Sequence, residues 1–314
     1  MRAIAFRKYG GPEVLEITQL ADPVAAPGEV VVDVHAASIN GVDAKTRSGT
    51  GAYKASFPHV LGRDFSGVVS SVGPGVSDLA CGESVFGVLD QGRDGTYAEQ
   101  LALPAHLVVR KPHWLSHAEA SAVALTGITA VWALEDTAQV QPADTVLIHG
   151  AAGGVGSFAV PLALYLGAQV IATASASNRK FVQRLGVERV IDYATEDFRI
   201  ASPPCDVVFD TVGGQTQVQS YEVLKPSGRL IWIAPASQNF VSPRKDVRAV
   251  RPDVRRDRRH LERVLELLEL GAVRTPPIQT FALEDAAEAH RVAEKRHVAG
   301  KLVLTRFDNN TLNV

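Results

Sequence analysis

Apolar residues in the first hundred positions occur in short runs that are interrupted by glycine and proline. Seven of these runs have the length and residue types expected for strands. They cover residues 2–6, 15–20, 30–35, 68–72, 83–88, 97–103 and 107–110. Because turn residues separate the runs at short intervals, we predict a β-rich first part of the chain.

A helical pattern replaces the strand pattern from residue 117 onward, beginning with a predicted helix over 118–134. Strands then alternate with helices, which indicates a parallel sheet covered on both faces. The predicted strands cover 146–148, 169–174, 189–192, 206–210 and 229–234, and the predicted helices cover 157–166, 179–185 and 215–224. Beyond residue 253, helical spacing predicts a helix that Gly271 ends, then a helix over 283–294 and a strand over 301–306.

The most informative segment is the glycine-rich turn GAAGGVG at 150–156, which lies between a predicted strand and a predicted helix. This order is typical of the first βαβ unit of a dinucleotide-binding domain, although Ala151 replaces the first glycine of the usual motif. We expect Gly153 to let the backbone approach a pyrophosphate and Gly156 to let the helix pack close to the strand. The predicted cofactor contacts here are Ala152, Gly153, Gly154 and Val155.

The end of the second strand predicts which nicotinamide cofactor binds. Sites that prefer NAD place an acidic residue there, whereas this chain has Ser175 and no acid in residues 174–180. Arg179 and Lys180 follow, and a hydroxyl with two cations favours a ribose 2′-phosphate. We therefore predict NADP(H), with the alternative that each cation is simply a solvated residue opening the next helix.

Composition and charge indicate a soluble enzyme. The chain has 314 residues, 46% of them hydrophobic, and a net charge of −2, so a large core is possible and no basic field suggests nucleic acid. Glycine and glutamine break the longest apolar stretch, 158–174, so no membrane span is predicted. The N-terminal segment lacks the apolar run of a signal peptide, and we expect a cytoplasmic protein.

Three further features have ordinary structural interpretations. The arginine-rich run 255–259 is mixed with acids on an amphipathic helix, which predicts a solvated face. His149 ends a strand and is predicted to be a hydrogen-bonded core histidine. Cys81 and Cys205 are too few for a zinc tetrad.

Five motifs spread over nearly the whole chain resemble those of one family. They are SINGVDAK at 38–45, LGRDFSGVVSSVG at 61–73, LTGITA at 125–130, AAGGVG at 151–156 and AGKLVL at 299–304. Together they resemble the medium-chain dehydrogenase/reductase superfamily, specifically its zinc-free quinone oxidoreductase (zeta-crystallin-like) branch. The resemblance implies an α/β fold in which a Rossmann doubly wound parallel sheet is inserted into a GroES-like β-rich catalytic domain.

The resemblance also implies domain boundaries and partners. It places the GroES-like domain at residues 1–120 and 255–314, the NADP-binding Rossmann domain at 121–254, and the active site in the cleft between them. Family members are commonly dimers or tetramers, so we expect a homodimer whose edge strand is 229–234 or the segment after it. The expected substrate is a small-molecule quinone or enone.

Two positions depart from the zinc-dependent relatives of this family. Asn40 stands where those relatives have a cysteine, and Arg63 stands in the position of the histidine of a Gly-His-Glu motif. A four-cysteine lobe is also replaced by a short connection, residues 90–95. Because zinc needs three or four converging ligands, we predict no metal site.

The resemblance assigns further site residues by position. Asn40 and Tyr53 are expected beside the nicotinamide and the substrate, with a turn residue and a loop aromatic as the alternatives. Arg63 is a candidate for stabilising a developing oxyanion, or else a structural partner of Asp64 or another acid. Asp43 and Asp64 are expected to be structural hydrogen-bonding groups.

The remaining assignments concern the cofactor. Tyr193 is expected to stack near the adenosine phosphate, or else to be a partly buried tyrosine at a strand end. Thr126 and Thr129 match a helix N-terminal segment that faces the nicotinamide, with helix capping as the alternative. Backbone positions along the nicotinamide half are matched by Gly213, Ile233, Ala234, Pro235 and Ala236.

These features predict an NADPH-dependent reductase of quinones or α,β-unsaturated carbonyls. A conjugated acceptor takes up a hydride to give a delocalised anion, so no Lewis acid is required. The alternatives are an enoyl-thioester reductase, which would need a basic trough for its carrier, and a non-catalytic NADPH-binding regulatory or structural protein.

Overall fold

The computed structural model describes residues 1–51, 53–234, 240–295 and 298–307 of the chain. The chain forms two compact units. The first consists of Met1–Leu125, Arg256–Glu262 and Pro277–Val314, and the second of Thr126–Arg255 and Arg263–Pro276. The segment 263–276 thus clusters with the second unit, whereas the predicted boundaries assign it to the first.

Strands dominate the beginning of the chain and alternate with helices further on. The first elements are β1 (Arg2–Phe6), β2 (Glu16–Gln19), β3 (Glu29–Ser38), α1 (Gly41–Arg47), β4 (His59–Val60), β5 (Asp64–Val72), β6 (Ser84–Val88), β7 (Gln100–Pro104), β8 (Val108–Arg110) and α2 (His117–Val131). The middle elements are β9 (Thr145–His149), α3 (Gly154–Tyr165), β10 (Gln169–Ala174), α4 (Arg179–Arg184), β11 (Arg189–Asp192), α5 (Phe198–Ala201), β12 (Cys205–Asp210), α6 (Gln215–Ser220), β13 (Leu224–Trp232) and β14 (Arg248–Val250). The last elements are α7 (Arg258–Glu269), β15 (Ile278–Ala282), α8 (Ala286–Glu294) and β16 (Lys301–Thr305).

Two sheets form the first unit. The larger has seven strands in the order β15-β16-β3-β5-β6-β8, with β7 also paired to β3, and the smaller has the order β2-β1-β4. Alternate residues of β3, including Val30, Val32 and Val34, contribute to one buried apolar cluster, as the two-residue period of a strand predicts. Because β16 pairs with β3, the two ends of the chain belong to one β-rich unit.

The second unit contains a six-stranded parallel sheet in the order β11-β10-β9-β12-β13-β14. Val146, Leu147 and Ile148 of β9 are fully buried, as expected for a strand whose sheet is covered on both faces. The strand order reverses between β9 and β12, which opens a crevice at the carboxyl ends of these strands. The predicted fold class, a Rossmann sheet combined with a GroES-like β domain, is confirmed.

Several elements differ from their predicted bounds. The helix α3 begins at Gly154, three residues before the predicted start, because the helix already begins inside the glycine-rich turn. Of the two predicted alternatives for the sheet edge, residues 229–234 or the segment after them, the second holds among the described residues, because β14 lies beyond β13. Among the described residues, no helix is both long and apolar enough to cross a membrane.

Candidate active site

The glycine-rich turn lies between the end of β9 and the start of α3, at the carboxyl edge of the parallel sheet. Gly150 has a φ of 71°, a conformation that favours glycine. A Cβ on Gly156 would lie 2.3 Å from the carbonyl oxygen of Gly150, so a side chain there would push the helix away from the turn. The packing of the protein itself therefore requires glycine at position 156.

Gly153 has a different environment, although it lies in the same turn. It is the N-cap residue of the twelve-residue helix α3. A Cβ on Gly153 would meet only the carbonyl oxygen of Gly150, at 3.4 Å. Packing therefore does not explain this glycine, whereas close approach of a phosphate to the first N–H groups of the helix would. The turn fits the pyrophosphate of a dinucleotide.

Ser175 and Tyr193 follow the adjacent parallel strands β10 and β11. The hydroxyl oxygens of Ser175 and Ser177 lie 2.9 Å apart, and the Tyr193 side chain is exposed. Lys180 is exposed as well, and it forms no ion pair with an acid within the described ranges. A serine pair, an exposed lysine and an aromatic ring therefore share one end of the sheet.

Arg179 has an acidic partner that the sequence pattern did not reveal. Its guanidinium group lies 3.0 Å from the Glu196 carboxylate, which also pairs with Arg189 at 2.8 Å. Glu196 accepts a further hydrogen bond from the backbone N–H of Asp192. Two guanidinium groups thus share the carboxylate of Glu196, and the carboxylate of Asp192 lies in the same turn, where it accepts a hydrogen bond from the backbone N–H of Ala194.

Asp210 organises the turn after β12. Its carboxylate accepts hydrogen bonds from the backbone N–H groups of Val212 and Gly213, at 2.8 and 3.0 Å. Burial raises the pKa of Asp210, and these hydrogen bonds oppose that shift. Gly213 has a φ of 78°, so the turn that carries this predicted cofactor contact needs a residue tolerant of positive φ.

His149 at the end of β9 is a buried, hydrogen-bonded histidine. Its ring nitrogens lie 3.2 Å from the hydroxyl oxygens of Thr173 and Ser220. Burial lowers the pKa of His149 to about 3. The predicted structural interpretation of this histidine agrees with these contacts.

The other predicted cofactor contacts lie after β13, within α2 or outside the described residues. Ile233 and Ala234 directly follow β13 at the carboxyl edge of the sheet, while Pro235 and Ala236 lie outside the described residues. Thr126 and Thr129 are buried in the second half of α2. Because α2 begins at His117, their assignment to a helix N-terminal segment, and the capping alternative, are wrong.

Asn40 lies in the first unit, at the N-cap of α1. The two N–H bonds of its amide donate to the Ser38 carbonyl and to the Asp64 carboxylate, both at 3.1 Å. Its amide oxygen accepts a hydrogen bond from the Lys301 ammonium at 2.8 Å. Both donors of the side chain are therefore engaged.

The charged groups around Asn40 are deeply buried. Asp43, Asp64 and Lys301 are at most 5% exposed. Burial raises the pKa of Asp43 to about 6 and raises that of Asp64, while it lowers the pKa of Lys301. The Lys301 ammonium and the carboxylates oppose one another's shifts, whereas the negative charge of Asp64 adds to the rise in the pKa of Asp43.

A further chain of contacts links this site to helix α8. The hydroxyl of Tyr97 donates to Asp43 at 3.1 Å and lies 3.4 Å from Nε2 of His290. The Arg47 guanidinium donates to Nδ1 of the same ring at 2.7 Å and also pairs with Glu294. Since Nδ1 accepts, the His290 proton is on Nε2 and is directed at the tyrosine oxygen.

Arg63 and Tyr53 both contact the short connection at residues 90–95, and Arg63 also contacts Leu89 just before it. The Arg63 guanidinium donates to the carbonyl oxygens of Leu89 and Asp90, and the Tyr53 hydroxyl donates to the carbonyl oxygen of Gly92 at 3.0 Å. Burial lowers the pKa of Arg63 to about 10. Within the described residues Arg63 has no ion pair, so the expected partnership with an acid is replaced by bonds to backbone carbonyls.

The predicted site residues thus fall into one set in each unit. In the first unit, the sequence pointed to Asn40, Asp43 and Asp64. It gave no role to Lys301, which is part of the AGKLVL motif. Lysine after glycine in a strand carries no chemical signature by itself. In the part of the chain that the structure describes, no three His, Cys, Asp or Glu side chains are arranged to hold a metal.

The chain is similar in sequence to known proteins over nearly its whole length. Residues 26–113 match the family described as alcohol dehydrogenase GroES-like domain, and residues 185–304 match the family described as zinc-binding dehydrogenase. The chain is 32% identical over 325 residues to the quinone oxidoreductase of Pseudomonas aeruginosa, covering 96% of this chain and 99% of that protein. It is also 32% identical to the mycocerosic acid synthase-like polyketide synthase of Mycobacterium tuberculosis, of which it spans 15%.

Solved structures show the same likeness. The quinone oxidoreductase from Coxiella burnetii superposes with a TM-score of 0.91 at 35% identity, covering 97% of this chain and 99% of that chain. The Escherichia coli quinone oxidoreductase complexed with NADPH gives a TM-score of 0.89 at 29% identity, covering 97% of this chain and 100% of that chain.

Proposed function

Because the chain belongs to the quinone oxidoreductase-like branch of the medium-chain dehydrogenase/reductase superfamily, we propose that it reduces quinones or α,β-unsaturated carbonyls with NADPH and without a metal. The observation that carries this proposal is the environment of Asn40. The residue that replaces a zinc ligand of related enzymes has the Lys301 ammonium bound to its amide oxygen at 2.8 Å. A divalent cation at this position would be repelled by that ammonium group.

The bound NADPH supplies a hydride. In a conjugated acceptor the resulting negative charge is spread over several atoms, so the protein must position the acceptor and exclude water more than it must stabilise a localised alkoxide. Asn40 is suited to positioning, since hydrogen bonds to Ser38, Asp64 and Lys301 fix its amide. Because both N–H bonds of this amide are engaged, Asn40 is not a donor to an oxyanion.

The preference for NADPH rests on the cluster beside Ser175. Lys180 is exposed, and Arg179 and Arg189 share the carboxylate of Glu196, so neither is paired with an acid of its own. A charge-assisted contact with a 2′-phosphate contributes about 1.5–3 kcal/mol, which is roughly a tenfold to hundredfold preference. Dissociation constants for NADPH and NADH test this; equal affinities, or an unchanged ratio in Lys180→Ala with Arg179→Ala, would reject it.

The reaction is tested with matched acceptors. NADPH oxidation is followed with 2-cyclohexen-1-one, a quinone, and cyclohexanone as the saturated control. We expect turnover of the conjugated acceptors and none of cyclohexanone. Preferential reduction of cyclohexanone, or no oxidation with any acceptor although NADPH binds, would contradict the proposal; the latter result favours a non-catalytic NADPH-binding protein.

A second candidate is an enoyl-thioester reductase, because the chain is equally similar, at 32% identity, to a region of the polyketide synthase. Such an enzyme must recognise the phosphates of a carrier group. Crotonyl-coenzyme A, compared with a short enone of the same carbon skeleton, separates the two functions. A kcat/KM at least tenfold higher for the thioester would favour the second candidate.

A further inference from the structure

An arginine without an acidic partner lies at the end of the parallel sheet where cofactors and substrates of this fold bind. Arg251 directly follows β14 and is exposed. The centre of its guanidinium group lies 5.9 Å from the centre of the Trp232 ring, at the end of the neighbouring strand β13. Within the described residues it has no hydrogen bond or ion pair to a carboxylate, whereas Arg244 and Arg229, which lie toward the other end of the sheet, are each paired with an aspartate.

The position of Arg251 along the sheet separates it from the pyrophosphate turn. The strands β9, β12, β13 and β14 are consecutive neighbours, and all of them are parallel. Three spacings of about 4.8 Å place β14 roughly 14 Å from β9, whose end carries the glycine-rich turn. The nicotinamide half of a dinucleotide extends from that turn in the direction of β12 and β13. Arg251 therefore lies on the nicotinamide side, beyond the strand that ends in Ile233 and Ala234.

The contact with Trp232 leaves the hydrogen-bonding edge of Arg251 available. A guanidinium group is planar, and its N–H bonds lie in that plane. The guanidinium carbon lies over the indole ring, 5.9 Å from its centre, and the cation–π attraction favours this position of the side chain. The in-plane N–H groups can then bind both oxygens of a carboxylate, sulfonate or phosphate.

We propose that Arg251, oriented by Trp232, binds a negatively charged group on the acceptor, so that the preferred substrates are anionic quinones or enones. This inference rests on the proposed function, which supplies the reacting part of the acceptor. The charged group is bound through a bidentate contact, away from the conjugated carbonyl that is reduced. Neutral acceptors are reduced too, but they lack this contact.

The test uses two enones that differ only in charge: 4-phenylbut-3-en-2-one and its para-carboxylate. Arg248, an exposed arginine at the other end of β14, provides the matched control. We expect Arg251→Met to raise the KM of the carboxylated enone on the order of tenfold and to leave the KM of the neutral enone and the Kd of NADPH unchanged. Arg248→Met should change none of these values.

Binding is measured separately, so that a failure of the reaction does not obscure the result. Calorimetric titration of the carboxylated enone into the complex with oxidised cofactor requires no turnover. Weaker binding in Arg251→Met, but not in Arg248→Met, supports the inference even if no acceptor is reduced. Three results would overturn the inference. Equal losses of enone affinity in both variants would show a general charge effect, and a loss of NADPH affinity in Arg251→Met would assign Arg251 to the cofactor. Unchanged enone affinity in Arg251→Met would show that this residue does not bind the acceptor.

Discussion

Asn40 illustrates what a single position can and cannot reveal. Its residue type, set against the cysteine of zinc-dependent relatives, predicted a site without a metal, and the structure adds why the amide cannot act as a donor. The partner that completes this environment, Lys301, lies 261 positions away in sequence. No local pattern connects residues at that separation, so the network could be found only in the folded chain.

Lys301 is expected to stabilise the first unit by compensating buried carboxylates. Removing one member of a buried charged group costs about 3–5 kcal/mol, because the remaining charge is left without compensation. We expect Lys301→Met to lower the free energy of unfolding in urea by about that amount, and the double variant with Asp64→Asn to recover part of the loss. A loss below about 1 kcal/mol in the single variant would show that the ammonium does not compensate these acids.

Arg63 is expected to have a structural role, because its guanidinium group binds the carbonyl oxygens of Leu89 and Asp90. Arg63→Met should lower the free energy of unfolding by about 1.5–3 kcal/mol while the folded fraction keeps a near-normal kcat on a neutral quinone. Thermal unfolding and steady-state kinetics on the same preparation measure both effects. A tenfold lower kcat at an unchanged melting temperature would instead restore the catalytic role suggested by its position.

At the scale of elements, the parallel sheet was predictable because strand patterns alternate regularly with helix patterns along this part of the chain. Strands β1, β10 and β11 have their predicted bounds, since apolar runs bounded by turn residues are strong local signals. The strands β4, β14 and β15 were missed, because none of them forms an apolar run that stands out from its surroundings. Their existence depends on the neighbouring strands that supply their hydrogen bonds.

The glycine-rich turn allows one element to be tested with two matched substitutions. Gly156→Ala places a Cβ 2.3 Å from the Gly150 carbonyl oxygen and should cost about 1–3 kcal/mol of stability. Gly153→Ala meets that oxygen only at 3.4 Å, so stability should change little while NADPH affinity falls about tenfold or more. Urea unfolding and a titration with NADPH distinguish the pair; unchanged affinity in Gly153→Ala would show that the turn does not hold the pyrophosphate.

At the scale of the whole molecule, two buried histidines are expected to make the protein acid-sensitive. Burial lowers the pKa of His149 and of His290 to about 3, whereas in the unfolded chain a histidine titrates near 6.5. Below that value the unfolded chain binds protons that the folded chain does not, so stability falls as the pH falls. Asp43, with a pKa of about 6, acts in the opposite direction, since its folded form binds a proton more readily than its unfolded form.

The size of this effect follows from linkage. Each histidine contributes a loss of about 2 kcal/mol between about pH 7 and pH 5, of which Asp43 offsets roughly 1 kcal/mol in total. Urea unfolding at both pH values should therefore show lower stability in acid. His149→Gln should reduce the difference by about 2 kcal/mol, while His106→Gln, at an exposed position, should not. Equal pH dependence in all three proteins would contradict this explanation.

The whole-molecule architecture was the most predictable level, because it depends on many weak signals that agree with one another. The union of both chain ends in one β-rich unit and the Rossmann class of the parallel sheet both follow from the family resemblance, whereas the sixth strand of that sheet does not. The ion pair between Arg179 and Glu196 was not predictable, since it depends on how two strand ends are brought together. The sequence alone therefore suggested more unpaired cations for a phosphate than the folded chain provides.

One measurement tests the central claim most directly: NADPH oxidation with a quinone by protein that has been treated with a chelator and analysed for metals. The environment of Asn40 predicts undiminished turnover at a metal content far below one ion per chain. Stoichiometric zinc in the purified protein, with activity that is lost on chelation and restored by adding zinc, would contradict the account.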